Sequence, residues 1–169
     1  MPFINRIKRK IKRIEIKKEK QVVDLMANEY VIDCDSKVLG RLASKVAKLL
    51  LNGDSVVLVN AEKAVISGHA EDIVSNYKQK IELKDKANPE HSPYISRRPD
   101  LFVKHVVRGM LPFKKAKGKS AYDRLRVYIG VPKQYEGAKF YDIAAKSKQD
   151  VFEKTITVKR LSELLGYKS

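Results

Sequence analysis

The sequence of 169 residues has no tryptophan, one cysteine, and no apolar run near the roughly 20 residues that span a bilayer. A single cysteine, Cys34, excludes an internal disulfide and any zinc motif built on a cysteine pair. It lies in an apolar run, so we interpret it as a small core residue and not as a reactive thiol. The N-terminus lacks the apolar core of a secretory signal. We therefore expect a protein of the reducing cytoplasm without membrane-spanning helices.

Acidic residues are also scarce, since 36 Lys and Arg face only 20 Asp and Glu and the formal net charge is +16. Residues 1–25 carry a net charge of +6 and residues 91–140 a net charge of +9, which leaves only +1 for all other residues. A solvated surface usually mixes the two signs. This concentration of positive charge predicts one surface that meets a polyanion, with an ordinary solvated face as the alternative.

The apolar pattern predicts an α/β fold in a single domain. Residues 30–34 and 55–60 are short apolar runs typical of buried strands. Between them, apolar residues at helical spacing predict a helix that Asp35 or Ser36 caps and that the turn at residues 52–54 ends. A strand, a helix and a second strand within about 30 residues form a βαβ unit, which implies parallel strands.

The rest of the chain predicts further elements of both kinds. In chain order these are a strand at 64–67, a helix at 67–83, a loop at 84–96, a helix at 99–110, a cationic glycine-containing loop at 113–123 with room for a short helix near its end, a strand at 124–130, and a strand followed by a terminal helix at 156–166.

The stretch KKAKGKS, residues 114–120, ends like a nucleotide-binding phosphate loop. That motif needs a glycine five positions before Gly118 and a buried strand ahead of it, but the position holds Phe113 and a helix is predicted there. The three histidines are scattered without metal-ligand spacing, and no nucleophile–base pair is apparent. We predict no enzyme, no catalytic residue, no cofactor, no small-molecule substrate and no metal site.

The same lysines are too dense for local carboxylates to neutralise, and RNA phosphates would offset their mutual repulsion. We predict an RNA-binding segment at about residues 91–140. Lys and Arg would hold phosphates there, while two glycines would allow close backbone approach. Tyr94, Phe113, Tyr122 and Tyr128 are candidates for stacking on bases, with Phe113 and Tyr128 equally interpretable as core residues. The candidate RNA-binding residues are Arg97, Arg98, Lys104, Arg108, Gly109, Lys114, Lys115, Lys117, Gly118, Lys119, Arg124 and Arg126.

The first 25 residues form a basic tail that includes isoleucines at helical spacing. Four interpretations remain open: an arm ordered by RNA, a membrane-surface helix, a mitochondrial presequence, and an appendage or misassigned start. Glu15 and Glu19 weigh against the presequence. We favour a flexible or RNA-ordered tail preceding one domain at residues 26–169.

Two blocks of sequence resemble a known family. The segment VIDCDSKVLGRLASKVAKLLLNGDSVVLVNAEKAVISG, residues 31–68, is similar to the opening βαβ segment of large-subunit ribosomal protein thirteen. The segment RRPDLFVKHVVRGMLPFKKAKGKSAYDRLRVYIGVP, residues 97–132, resembles that family's central signature. Val131-Pro132-Lys133 matches the archaeal and eukaryotic branch, where the bacterial branch has a His-Pro-His segment.

The resemblance implies a three-layer α/β/α sandwich on a small, mostly parallel four-stranded sheet. It also implies a structural constituent of the large ribosomal subunit that binds large-subunit ribosomal RNA, contacts neighbouring ribosomal proteins and acts early in assembly in the cytoplasm. The alternative is a non-ribosomal RNA-binding protein that regulates translation.

Overall fold

A computed structural model describes residues 28–143 and 154–168 of the chain. The tail predicted at residues 1–25 lies outside these ranges. Three short 3₁₀ helices, at Ala61–Lys63, Pro89–His91 and Lys133–Tyr135, accompany the main elements. In chain order the main elements are β1 (Glu29–Asp33), α1 (Leu39–Asn52), β2 (Ser55–Val59), β3 (Val65–Ser67), α2 (Ala70–Glu82), α3 (Pro99–Met110), α4 (Ala116–Asp123), β4 (Leu125–Val127), β5 (Thr155–Thr157) and α5 (Val158–Leu164).

The central sheet has three parallel strands in the order β1-β2-β4. Glu29 lies opposite Ser55 at one end of the β1–β2 pair, and Val56 lies opposite Leu125 in the β2–β4 pair. Parallel neighbours require a crossover of a dozen or more residues, and α1 provides it between β1 and β2. The predicted βαβ unit and the mostly parallel α/β class are therefore confirmed.

The predicted sheet of four strands differs from the structure, because β3 does not join the parallel sheet. It pairs antiparallel with β5, with Ile66 opposite Ile156, and together they form a separate two-stranded sheet. Only residues 60–64 separate β2 from β3, which is too short a connection for a parallel neighbour of β2. One isolated parallel bridge, between Val38 and Val65, connects β3 to the segment after β1.

The two faces of the parallel sheet are covered differently. Ile32, Val56 and Leu58 face the main core, to which all five helices of the described ranges contribute apolar side chains. Val31, Val57 and Val59 face the other way, where Tyr128, Val131, Tyr135 and Ala138 pack on them. Within residues 28–143 and 154–168, the second face thus carries an irregular segment with one 3₁₀ turn, whereas the resemblance implied a helical layer.

Helix α1 shows how local sequence defines an element. Its buried side includes Leu42, Val46 and Leu50, spaced as an amphipathic helix requires. Gly53 ends the helix with φ of 113°, and its N–H donates to the carbonyl oxygens of Leu49 and Leu50, as the predicted turn implied. The predicted cap was wrong, since Val38 occupies the cap position without a side-chain hydrogen bond.

The lysine-rich segment is mainly helical, because α4 covers Ala116–Asp123 of the predicted loop at 113–123. Gly118 lies in this helix and is buried against the turn that follows α3. A Cβ atom at Gly118 would lie 2.1 Å from the carbonyl oxygen of Pro112 and 2.8 Å from the nitrogen of Phe113. Glycine is thus required at this position by the close approach of two backbone segments.

Two glycine substitutions test that close approach. We expect Gly118→Ala to destabilise the fold by about 1–3 kcal/mol, because the added methyl group forces α4 away from the Pro112 carbonyl. Gly109→Ala is the matched control, since a Cβ on that helical glycine meets nothing within 4 Å. We expect it to raise the free energy of unfolding by about 0.5–1 kcal/mol. Urea unfolding measures both, and equal effects would contradict the packing argument.

Cys34 is fully buried at the end of β1, in agreement with its interpretation as a core residue. Burial, with a smaller contribution from the nearby Asp33 carboxylate, raises the pKa of the Cys34 thiol to about 12. The folded chain therefore retains the thiol proton at a pH where the unfolded chain, with an ordinary thiol pKa of about 8.5, has lost it.

This pKa difference predicts that the Cys34 thiol makes the folded chain less stable at alkaline pH. As pH rises from about 8.5 toward 12, the unfolded state binds fewer protons, so the free energy of unfolding falls by up to about 1.4 kcal/mol per pH unit. Cys34→Ala removes that contribution and should show a shallower decline. The comparison requires urea unfolding of both proteins at several pH values, and parallel curves would show that the thiol does not titrate as inferred.

Candidate nucleic-acid interface

Two cations of α3 lie on aromatic rings at the junction with α4. Lys104 Nζ is 4.8 Å from the centre of the Tyr122 ring, and Arg108 Cζ is 4.1 Å from the centre of the Phe113 ring. The two rings meet edge to face, with centres 5.3 Å apart. Lys104 and Arg108 therefore lie on the same side of α3, as their spacing predicted. The cation–π contacts hold both side chains in place and also engage the faces of the two aromatic rings.

Four exposed lysines surround the start of α4, namely Lys114, Lys115, Lys117 and Lys119. We call these lysines, together with Lys104 and Arg108, the α3–α4 surface. No carboxylate of the described residues forms a salt bridge with any of these six cations, since the salt bridges there join Lys37 to Asp142, Arg98 to Asp100 and Arg160 to Glu163. The first turn of α4 also contains no acidic residue. The positive end of the helix dipole therefore adds to the lysine charges.

The hydrogen bonds of α4 argue against a nucleotide phosphate loop. The N–H groups of Gly118 and Lys119 both donate to the carbonyl oxygen of Lys115, at 3.1 and 3.2 Å. In a phosphate loop such N–H groups point at the phosphates. The element before the motif is α3 and not a buried strand. Two of the N–H groups that a phosphate loop would present are thus used within α4, whereas the lysine side chains of this stretch are exposed.

Arg97 and Arg98 lie at the other end of α3. Arg98 and Arg108 are ten positions apart, which corresponds to about 15 Å of helix axis. Arg98 flanks the start of α3 and forms two hydrogen bonds with the Asp100 carboxylate, at 2.7 and 3.1 Å. Arg97 instead lines a groove beside Gly166. These two arginines are therefore separate from the α3–α4 surface.

Arg124 and Arg126 also differ from the predicted common surface. Arg124 is half-buried, and its guanidinium donates to the carbonyl oxygen of Leu50 at 2.8 Å and more weakly to that of Asp54 at 3.4 Å. It thus satisfies carbonyl groups at the end of α1. Arg126 is exposed on β4 between Leu125 and Val127, which pack toward the main core. Because side chains alternate along a strand, Arg126 lies on the opposite face of the sheet.

The two glycines of the predicted set have different positions. Gly109 is exposed on α3, with open space around it. Gly118 is buried, and the backbone it approaches is that of the protein itself. Of the twelve predicted residues, seven lie at or next to the junction of α3 and α4, namely Gly109 and the six cations of the α3–α4 surface, whereas Arg98, Arg124 and Gly118 have partners within the fold.

Sequence reasoning missed a cationic row on α1. Arg41, Lys45 and Lys48 are all exposed and spaced by four and three residues, which places them on one side of the helix. The signal was present as a helical period of basic residues opposite the apolar face. The net charge of the surrounding segment does not reveal this row, because nearby acidic residues make that segment almost neutral overall.

Residues 28–143 and 154–168 contain no group of three or more His, Cys, Asp or Glu side chains placed to hold a metal ion. None of the helices in these ranges combines the length and the apolar composition that crossing a membrane requires.

The fold and the surface together describe a basic α/β protein with exposed cations around one helix junction. The chain belongs to a family with the description Ribosomal protein L13, whose model matches residues 27–134.

Relatives named "Large ribosomal subunit protein uL13" match most of the chain. The protein of Archaeoglobus fulgidus is 42% identical over 151 residues, covering 88% of this chain and 95% of its own. The protein of Methanococcoides burtonii is 43% identical over 139 residues, covering 82% of this chain and 98% of its own. The protein of Methanocaldococcus jannaschii is 42% identical over 139 residues, with the same coverage of 82% and 98%. The predicted resemblance to this family, in its archaeal and eukaryotic form, is confirmed, and these relatives are archaeal.

The different environments of two arginines predict different consequences of their removal. We expect Arg124→Ala to lower the free energy of unfolding by about 1–3 kcal/mol, because the carbonyl groups at the end of α1 lose a charged donor. Arg126→Ala should change it by less than about 0.5 kcal/mol, because that side chain is exposed. Thermal and urea unfolding of both variants provide the test. A stable Arg124→Ala protein would mean that the contact with Leu50 contributes nothing.

Proposed function

We propose that this protein is a structural constituent of the large ribosomal subunit, in cytoplasmic ribosomes, that binds large-subunit ribosomal RNA and acts early in subunit assembly. Membership of the ribosomal protein L13 family and the names of the relatives support this proposal. The structural observation that carries it is the α3–α4 surface, where six cations lie together without carboxylate partners among the described residues.

The proposed mechanism is electrostatic positioning. Lys114, Lys115, Lys117 and Lys119 contact phosphates of the RNA backbone and release its condensed counterions. Lys104 and Arg108 need little ordering on binding, since aromatic rings already hold them. Helical RNA hides its base edges in a narrow major groove, so this surface recognises the shape and the phosphate positions of the RNA.

The proposal retains one domain at residues 26–169, with an RNA-binding segment at about 91–140 and a basic tail at 1–25. A single core supports the single domain, because one apolar cluster includes Ile32 near the start of the described chain and Leu165 near its end. The RNA-binding function itself assigns no catalytic step and no cofactor to this domain. Its partners are ribosomal RNA and neighbouring large-subunit proteins.

Replacing the four lysines of the α3–α4 surface by glutamine tests the RNA contact. We expect weaker binding to purified large-subunit ribosomal RNA. The plot of log K against log salt should also become shallower by about 3, because each lost phosphate contact lowers the magnitude of its slope by roughly 0.7–0.9. Thermal stability should be retained or should rise, because like charges no longer repel. Filter binding at several salt concentrations measures both affinity and slope.

The matched control removes the same charge elsewhere, by replacing the exposed residues Lys63, Lys80, Lys86 and Lys159 with glutamine. We expect a much smaller change of slope, because the lysines of the α3–α4 surface act through their position and not through net charge alone. An equal loss of affinity and of salt slope in the two variants would contradict the assignment of the RNA contact to the α3–α4 surface.

A non-ribosomal translation regulator is the alternative, and fractionation separates the two functions. A structural constituent should sediment with the large subunit in sucrose gradients at high salt. Release of the whole population at high salt, with retained binding to another RNA, would overturn the ribosomal assignment and favour the alternative.

A further inference from the structure

A groove lies at the end of α3 opposite the α3–α4 surface. Its walls are the end of α2, residues 92–98, the first turn of α3 and residues 166–168, and its volume is about 540 Å³. Apolar and aromatic side chains line much of it, and three of them are strongly exposed: Tyr94 by 81%, Leu83 by 60% and Leu101 by 43%. The groove therefore offers apolar surface that no other described part of the chain covers.

The polar residues of the groove carry positive charge. Lys84, Arg97 and Lys168 line it together with Arg98, and no Asp or Glu of the described residues is among its lining. Arg98 is already paired with Asp100, whereas no salt bridge of the described residues involves the other three cations. Arg97 lies beside the turn at Gly166, where its Nη1 is 3.4 Å from the position that a Cβ would take. An occupant that combines an apolar part with negative charge would match both features of this lining.

We propose that this groove binds an unpaired nucleotide of RNA, with its base stacked on Tyr94 and its phosphate held by Arg97 and Lys84. This inference rests on the proposed function and adds a second kind of contact to it. A base supplies the flat apolar surface, and its backbone supplies the charge that complements the cationic rim. A base within a paired helix is not free to enter the groove, so the groove selects a bulge, a loop or a strand end. The α3–α4 surface, in contrast, contacts phosphates.

Substitution of Tyr94 separates stacking from charge. We expect Tyr94→Ala to weaken binding to purified large-subunit ribosomal RNA by roughly 5- to 100-fold, the range that loss of one stacked base represents, with no change in the salt slope. Tyr94→Phe should bind like the unaltered chain, because stacking requires the ring and not the hydroxyl. Arg97→Gln should reduce the salt slope by roughly 0.7–0.9, as expected for one phosphate contact. Tyr141→Ala is the control, an exposed tyrosine outside the groove.

The absence of tryptophan from the chain allows a direct measurement of stacking. Tyr94→Trp introduces a single fluorophore into the groove, and we expect saturating RNA to quench it strongly with affinity retained. Tyr141→Trp should show little quenching. The proposal is overturned if the fluorescence of the Tyr94→Trp chain does not respond to bound RNA, or if Tyr94→Ala binds free RNA normally.

Failure of this inference is distinguishable from failure of the proposed function. If Tyr94→Ala binds free RNA normally but is lost from assembled subunits, the groove holds a protein and the nucleotide assignment is wrong. The lysine variant of the α3–α4 surface would still report RNA binding in that case. If neither surface affects affinity for ribosomal RNA, both proposals fail together.

Discussion

The junction between α3 and α4 depends on the contact of one buried glycine with a backbone carbonyl. Because Gly118 has no side chain, α4 packs directly on the turn at Pro112, and this places the lysines of α4 beside Lys104 and Arg108 of α3. The edge-to-face contact of Phe113 with Tyr122 closes the same junction. The position of the cationic surface is therefore a consequence of packing, and the charges themselves oppose it by mutual repulsion.

The parallel sheet provides the support for this junction. Leu125 of β4 is buried in the core next to the side chains of α1 and α3, while Arg124 just before it donates to the carbonyl of Leu50. One short segment thus links the end of α4, the end of α1 and the edge of the sheet. This segment therefore fixes how α1, α4 and the sheet sit next to one another.

Much of the fold followed from local patterns. The βαβ unit, the bounds of α3 between Pro99 and Met110 and the turn at Gly53 were predicted closely, because apolar spacing and turn chemistry are local properties. For the Lys-rich segment only a short helix near the end of a loop was predicted, whereas α4 covers Ala116–Asp123, because the approach of Gly118 to the Pro112 backbone is a tertiary contact. The partner of β3 was missed, because β5 lies about 90 residues further along the chain.

The sequence by itself determined the composition of the candidate site: an excess of Lys and Arg within residues 91–140, with aromatic residues between them. Tertiary structure decided which of those cations act together. It placed Arg97 in a groove, Arg124 against α1 and Arg126 on the far side of the sheet, and it left the α3–α4 surface as one group. Charge is a property of each residue, whereas its availability to a ligand depends on the carbonyls, carboxylates and rings that distant parts of the chain bring near it.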